Sequence, residues 1–241
     1  MRLSEHIRPL RALLFDVDGT LADTEGEGHL PAFNAAFAEY DLPWRWGAER
    51  YRELLREVPG GRERLQYELQ RRSDAFRPSE PVADLARRLH QAKNRHYACR
   101  LEQGLIPPRP GVLRLIREAI EADIKLAVVT TSAHENVEAL FRHVLGVDLR
   151  PHFEVVVAGD DVPRKKPAPD AYQVALQRLA LPASECLALE DSVNGLRAAL
   201  GAGLPTLITR NAWTRDDDFS GALAVVDHLD DDGRGNRVTI A

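Results

Sequence analysis

Two aspartates one residue apart, Asp16 and Asp18, close the apolar run Leu13-Leu14-Phe15 and are followed by Gly19 and Thr20. A short apolar run that ends abruptly in acids reads as a buried strand delivering carboxylates to the rim of a sheet. Residues i and i+2 of a strand share a face, so both side chains can converge on one site. Gly19 permits a turn that a β-carbon would hinder, and it lets a ligand approach closely. Neighbouring carboxylates repel, and a bound cation, a retained proton or both must relieve them. A strand cap followed by an Asx turn would account for this segment if it stood alone.

Three later segments argue that it does not. The apolar run from Ile124 ends at Thr130-Thr131-Ser132, whose hydroxyls and backbone N–H groups could bind phosphate oxygens. Taken singly, these residues fit a helix N-cap ahead of Glu135. Lys166-Pro167 opens a helix after a third strand, where an ammonium could meet a phosphoryl group as a compact charge. Leu187-Ala188-Leu189 ends in Glu190-Asp191-Ser192. These acids could sit at a helix start, or complete an oxygen-rich site for a hard dication. Each signal is weak by itself. Their order, each at the carboxyl end of its own strand, carries the inference.

The elements that must position these residues alternate. Strands are expected at 11–16, 124–130, 153–157, 186–190 and 206–208, and helices at 112–121, 136–145, 169–180 and 193–200. Strands alternating with helices of this length imply an α/β fold, a Rossmann-like parallel sheet with helices on both faces. Between the first strand and the second lies a block with helical spacing only, for example Leu30, Phe33, Phe37 and Tyr40, or Leu85 and Leu89. It reads as an inserted α-helical cap at 23–103, with 1–22 and 104–241 forming the core. Pro59-Gly60-Gly61 breaks the cap and is expected to be a mobile loop.

The chain has 241 residues, 44% of them hydrophobic and 29% charged, as in globular proteins rather than disordered ones. A net charge of −5 argues against nonspecific binding to nucleic acid or to an anionic membrane. Two cysteines, Cys99 and Cys186, make no disulfide framework, which fits a reducing compartment. The apolar run near the N-terminus is too short for a signal peptide or a span, so a cytoplasmic location is expected. The acidic runs at 216–218 and 230–232 read as solvated loops.

The set Asp16-Val17-Asp18-Gly19-Thr20, Thr130, Lys166-Pro167 and Glu190-Asp191 resembles the four motifs of the haloacid dehalogenase superfamily, in the branch with a helical cap after the first motif. The segments 51–55, 60–64, 136–140 and 188–199 are similar to those of CbbY-type phosphatases, relatives of β-phosphoglucomutase. That resemblance implies Mg²⁺-dependent hydrolysis of a small sugar bisphosphate, xylulose 1,5-bisphosphate to xylulose 5-phosphate, in the service of carbon fixation (the Calvin cycle). It implies that Asp16, the Asp18 backbone carbonyl and Asp191 hold the cation, with Glu190 a ligand through water or a partner of the ligands. Asp16 is then the nucleophile that forms an aspartyl-phosphate, and Asp18 the acid and base. Lys166 and Thr130 stabilise the transferring oxygens.

For substrate selection, Arg62 on the Gly-rich loop is the best cation for a second phosphate, since its fork suits bidentate binding; Arg64 is a weaker candidate. Glu25 matches a family acid that contacts sugar hydroxyls, and Ser132 and His134 follow the second motif. Gly26-Glu27-Gly28 makes the cap start one residue longer than the family pattern. One residue rotates a regular helix by about 100°, so His29 is expected to turn away from the family position. A monomer is expected. A β-phosphoglucomutase-like mutase shares every core residue and is the closest rival. A phospho-accepting signalling module shares the aspartates, Mg²⁺ and lysine, but such modules are shorter and carry no helical insert.

Overall fold

The structure is a computed structural model that describes residues 1–58, 60–71, 80–231 and 235–241. Strand β1 (Ala12–Phe15) is followed by four helices, α1 (Leu30–Glu39), α2 (Ala48–Glu57), α3 (Gly61–Arg71) and α4 (Val82–Glu102). Alternation then begins: α5 (Val112–Glu121), β2 (Lys125–Val129), α6 (His134–Leu140), β3 (Phe153–Val157) and α7 (Asp170–Leu179). It continues through β4 (Cys186–Glu190), α8 (Val193–Gly201), β5 (Thr206–Thr209) and β6 (Ala224–Val226). The chain forms two compact units, one of residues Met1–Asp23 and Pro107–Ala241, the other of Thr24–Ile106.

The first unit is a six-stranded sheet in the order β3-β2-β1-β4-β5-β6, with every pairing parallel. A parallel sheet covered on both faces needs strands apolar throughout, and β1, β4 and β5 are buried at every position. Alternation divides the two faces. Ala12, Leu14, Ala127, Val129, Cys186 and Ala188 pack in one cluster with Tyr172 and Ala175 of α7 and Ala198 of α8. On the other face Phe15 and Phe141 both pack edge-on against Phe153, with ring centroids 6.1 and 4.9 Å away. The order reverses direction between β1 and β4, and the crevice beyond the carboxyl ends at such a switch point is where open α/β sheets bind ligands.

The edge strand β6 is absent from the sequence reading. It has three residues and a single fully buried one, Val226, so no periodicity announces it. The passages flanking the helical unit run side by side within the core unit: Asp23 N–H donates to Pro107 O at 3.2 Å, and Arg109 N–H to Leu21 O at 3.0 Å.

In the helical unit α1 and α4 bury Phe33, Phe37, Leu89 and Tyr97. One expectation fails here. Gly61 is the first residue of α3, so Arg62 stands in the first turn of a helix and not on a loop; Pro59 and Asp232 lie outside the described residues. The longer cap start takes the form of a π-helical turn over Glu25–His29, closed by Leu30 N–H donating to Glu25 O. A turn with i→i+5 bonds holds one residue more than an α turn, and His29 is buried, its ring stacked on Tyr97 at 4.2 Å. Gly28 is required by packing, since a Cβ there would stand 2.7 Å from Ile106 Cδ1 and 2.8 Å from Tyr97 Cε2.

Candidate active site

Asp16 directly follows β1 and shares the face of Ala12 and Leu14, the side covered by α7. Its N–H donates to Leu189 O at 2.9 Å, which extends the β1–β4 pairing by one residue. Glu190 ends β4 on the face of Cys186 and Ala188, and so points to the same side. Lys166 completes the group. Its Nζ donates to Asp16 Oδ1 at 2.7 Å, to Glu190 Oε1 at 2.6 Å and to Val129 O at 2.7 Å. All three side chains are buried. The ammonium therefore spends its three donors on the ends of β1, β4 and β2, and none of them is left for a solvated loop role.

Asp191 is buried on the next position, and Asp16, Glu190 and Asp191 bring one oxygen each within 4.8 Å of one another, a grouping that could hold a metal ion. One ammonium among three carboxyl groups leaves negative charge in excess. Burial first, then the Glu190 and Asp18 charges, push the Asp16 carboxyl up to about 8 against the pull of the Lys166 charge. Burial also acts to lower Lys166, but Asp16 and Glu190 outweigh it and hold the ammonium above its ordinary range. Burial leads the Asp16 shift and the neighbouring acids the Lys166 shift; a dication with oxygen ligands would add positive charge beside these acids.

Asp18 is half-buried and accepts a hydrogen bond from Ser132 Oγ at 2.5 Å. Thr130 is buried after β2, with its Oγ1 accepting from Ser132 N–H at 3.0 Å. These hydroxyls do not cap a helix, because α6 starts after Ala133 with no side-chain cap. His134 is exposed and paired with Asp161 at 3.0 Å. In the helical unit, Glu25 is buried and accepts from Tyr51 Oη at 2.6 Å. Arg62 is half-exposed, 3.6 Å from Glu63. Arg64 donates from Nε to Val58 O at 2.9 Å and lies over the Tyr51 ring.

Three residues escape the sequence reading. Tyr172 donates from Oη to Glu190 Oε1 at 2.6 Å, and burial followed by the Glu190 charge raises its hydroxyl well above the ordinary value. Nothing in an isolated tyrosine on an apolar helix face announces that. Asn211 donates from Nδ2 to Asp191 Oδ2 at 2.7 Å. It sits just past β5, and the rule that exposed the other strand ends applies to it as well. Lys93 is buried on α4 with its Nζ over the rings of Phe33 and Tyr97, at 5.3 and 4.9 Å. Its signal was a lysine in register within the stripe Leu85, Leu89, Tyr97, Leu101.

Carboxyl groups that could hold a cation, with a lysine bridging the strand ends, are an arrangement suited to binding a phosphoryl group. The comparisons agree. A family model described as haloacid dehalogenase-like hydrolase matches residues 10–203. Protein CbbY of Cupriavidus necator is 48% identical over 222 residues, covering 92% of this chain and 87% of that protein. A crystal structure of a CbbY mutant from Rhodobacter sphaeroides in complex with xylulose-(1,5)bisphosphate is 44% identical, with a TM-score of 0.84 over 91% of this chain and 94% of that one. A putative beta-phosphoglucomutase from Thermotoga maritima is more distant, at 27% identity and a TM-score of 0.65 over 90% and 94% of the two chains. No described helix is long and apolar enough to cross a membrane. With Asp16, Lys166, Glu190 and Asp191 gathered at the sheet end and these relatives alongside, the chain belongs to the haloacid dehalogenase-like hydrolases, in their CbbY branch, and is a phosphatase.

Proposed function

We propose that this phosphatase removes one phosphate from a small sugar bisphosphate, xylulose 1,5-bisphosphate foremost, using Mg²⁺ and an aspartyl-phosphate on Asp16. The observation that carries the mechanism is the Lys166 ammonium shared between Asp16 and Glu190, beside Asp191, at the switch point of the sheet. The substrate rests on the CbbY structure with the bisphosphate bound and on the higher identity to CbbY than to the putative mutase.

Asp16, Asp191 and the Asp18 carbonyl would hold Mg²⁺, with Glu190 as a further acid tied to Lys166. When bound, the cation would supply the positive charge that this pocket lacks, for the carboxylates and for the phosphate oxygens. Asp16 attacks phosphorus while the bond to the sugar oxygen breaks. Asp18, held by Ser132, gives its proton to that oxygen. Asp18 then takes a proton from water as the water oxygen attacks the aspartyl-phosphate. Inorganic phosphate leaves, and both aspartates are restored. Lys166 and the Thr130 hydroxyl bear on the charge spread over the transferring oxygens.

Glu25, Arg62, Ser132 and His134 are assigned to substrate binding, with Arg62 taking the remote phosphate. Incubation with xylulose 1,5-bisphosphate and Mg²⁺ should release one equivalent of phosphate, and Asp16→Asn should release none while keeping the wild-type melting temperature within a few degrees. A mutase would release little phosphate and isomerise the sugar instead. Retained turnover in Asp16→Asn would mean a different nucleophile.

A further inference from the structure

We propose that Asn211 is a positioning residue for the Asp191 carboxylate, fixing which oxygen Asp191 offers to the metal; this rests on reading Asp191 as a Mg²⁺ ligand. Asn211 follows β5 and is buried. A carboxamide can present either end, but here the choice is made by its own turn. Asn211 Oδ1 accepts the Trp213 N–H at 2.8 Å and the Thr214 hydroxyl at 3.3 Å. The amide nitrogen is thereby the end that faces Asp191 Oδ2, at 2.7 Å, with Gly19 O 3.5 Å away.

The pair is also walled in. Gly19 has φ +85°, and a Cβ on it would lie 2.3 Å from Asp191 Oδ2 and 2.6 Å from Asn211 Nδ2. The glycine of the first motif therefore leaves room for this hydrogen bond as well as for its own turn. Beneath the pair, Arg109 Nη2 donates to the carbonyls of Arg210 and Asp227, each at 2.6 Å, which pins the backbone immediately before Asn211.

The chemistry of the donor matters. A neutral amide orients a carboxylate without bringing a charge of its own. A lysine in the same place would compete with the metal. Partners of this kind typically set metal affinity by about 10- to 100-fold.

The test titrates Mg²⁺ alone, by calorimetry and without substrate, into the wild type, Asp191→Asn, Asn211→Ala and Asn211→Ser. Serine can keep the turn by accepting the Trp213 N–H, yet it is too short to reach Asp191. Asn211→Ser should therefore melt near the wild type but bind Mg²⁺ about 10-fold or more weakly, and its kcat should return toward wild type at saturating Mg²⁺. Asn211→Ala should lose the same affinity, and if it fails to fold the serine variant decides. Mg²⁺ affinity within two-fold of wild type in Asn211→Ser, with binding lost in Asp191→Asn, would reduce Asn211 to a turn residue and overturn the inference. Undiminished binding in Asp191→Asn would instead overturn the reading of Asp191 on which it stands.

Discussion

Lys166 shows how little of a buried site a single residue type reveals. In the sequence it is one lysine beside a proline; in the fold it bonds to the ends of three strands and is sealed from water. Removing one partner of a buried charge cluster costs about 3–5 kcal/mol, because the groups left behind stay desolvated. Lys166→Met keeps the length and loses the charge. It should lower phosphatase activity by at least about 100-fold, the scale for losing one charge-stabilising donor. It should also lower the melting temperature more near about pH 9, where Asp16 is ionised beside Lys166, than near about pH 5, where Asp16 holds a proton. Equal melting at both values would mean that Lys166 does not compensate those acids. The aspartates and the Glu190-Asp191 pair were legible because each sits where an apolar run stops; Lys166, well past the end of β3 and ahead of α7, was legible only as a lysine before Pro167. Tyr172 was not, since what defines it is the carboxylate it faces across the sheet end, whereas Asn211 follows β5 and obeys the same strand-end rule.

At the scale of elements, the alternation of strands and helices and the helical insert could be read from hydrophobic period alone, because a parallel sheet demands continuous apolar runs. The three-residue strand β6 could not, and the π turn at Glu25–His29 reads in sequence only as an extra residue. The start of α8 makes a sharper case. Ser192 caps it by accepting the Gly195 N–H at 3.1 Å, and a Cβ on Gly195 would lie 1.8 Å from Glu190 Oε2. Helix propensity alone would make Gly195→Ala stabilising by about 1 kcal/mol. The collision with Glu190 reverses that sign. We expect a net loss of about 1–3 kcal/mol, the range for overpacking, together with reduced activity as Glu190 is pushed off Lys166; a more stable and fully active variant would contradict this packing. Arg62 in the first turn of α3 is the opposite kind of position. It is half-exposed, so Arg62→Ala should leave stability within about 0.5 kcal/mol. Its KM should rise at least about 10-fold for a sugar bisphosphate and stay unchanged for p-nitrophenyl phosphate. Equal losses on both substrates would remove Arg62 from substrate selection.

For the whole molecule, the excess of carboxyl groups couples folding to pH and to metal. Burial first of all pushes the Asp16 carboxyl from its ordinary 3.8 up to about 8 in the fold. Between those values the folded chain holds a proton that the unfolded chain has released, so stability falls as pH rises. The contribution is complete below about pH 4 and is lost as pH climbs through about 8. Other acids change stability over the same range, so the informative quantity is the wild type minus Asp16→Asn, each melted in EDTA from about pH 5 to about pH 9. That difference should grow more unfavourable to the wild type with rising pH, at roughly 2–4 °C of melting temperature per kcal/mol for a chain of this size. Mg²⁺ should then raise the wild-type melting temperature most at the alkaline end, where the carboxylates are ionised and no proton competes with the cation. A difference flat with pH, or a Mg²⁺ effect largest near pH 5, would mean that the charge at the sheet end is balanced without a metal. The acid cluster would then have to be explained by folding alone, at a place in the sheet where burying three carboxyl groups around one lysine is among the most costly arrangements open to the chain.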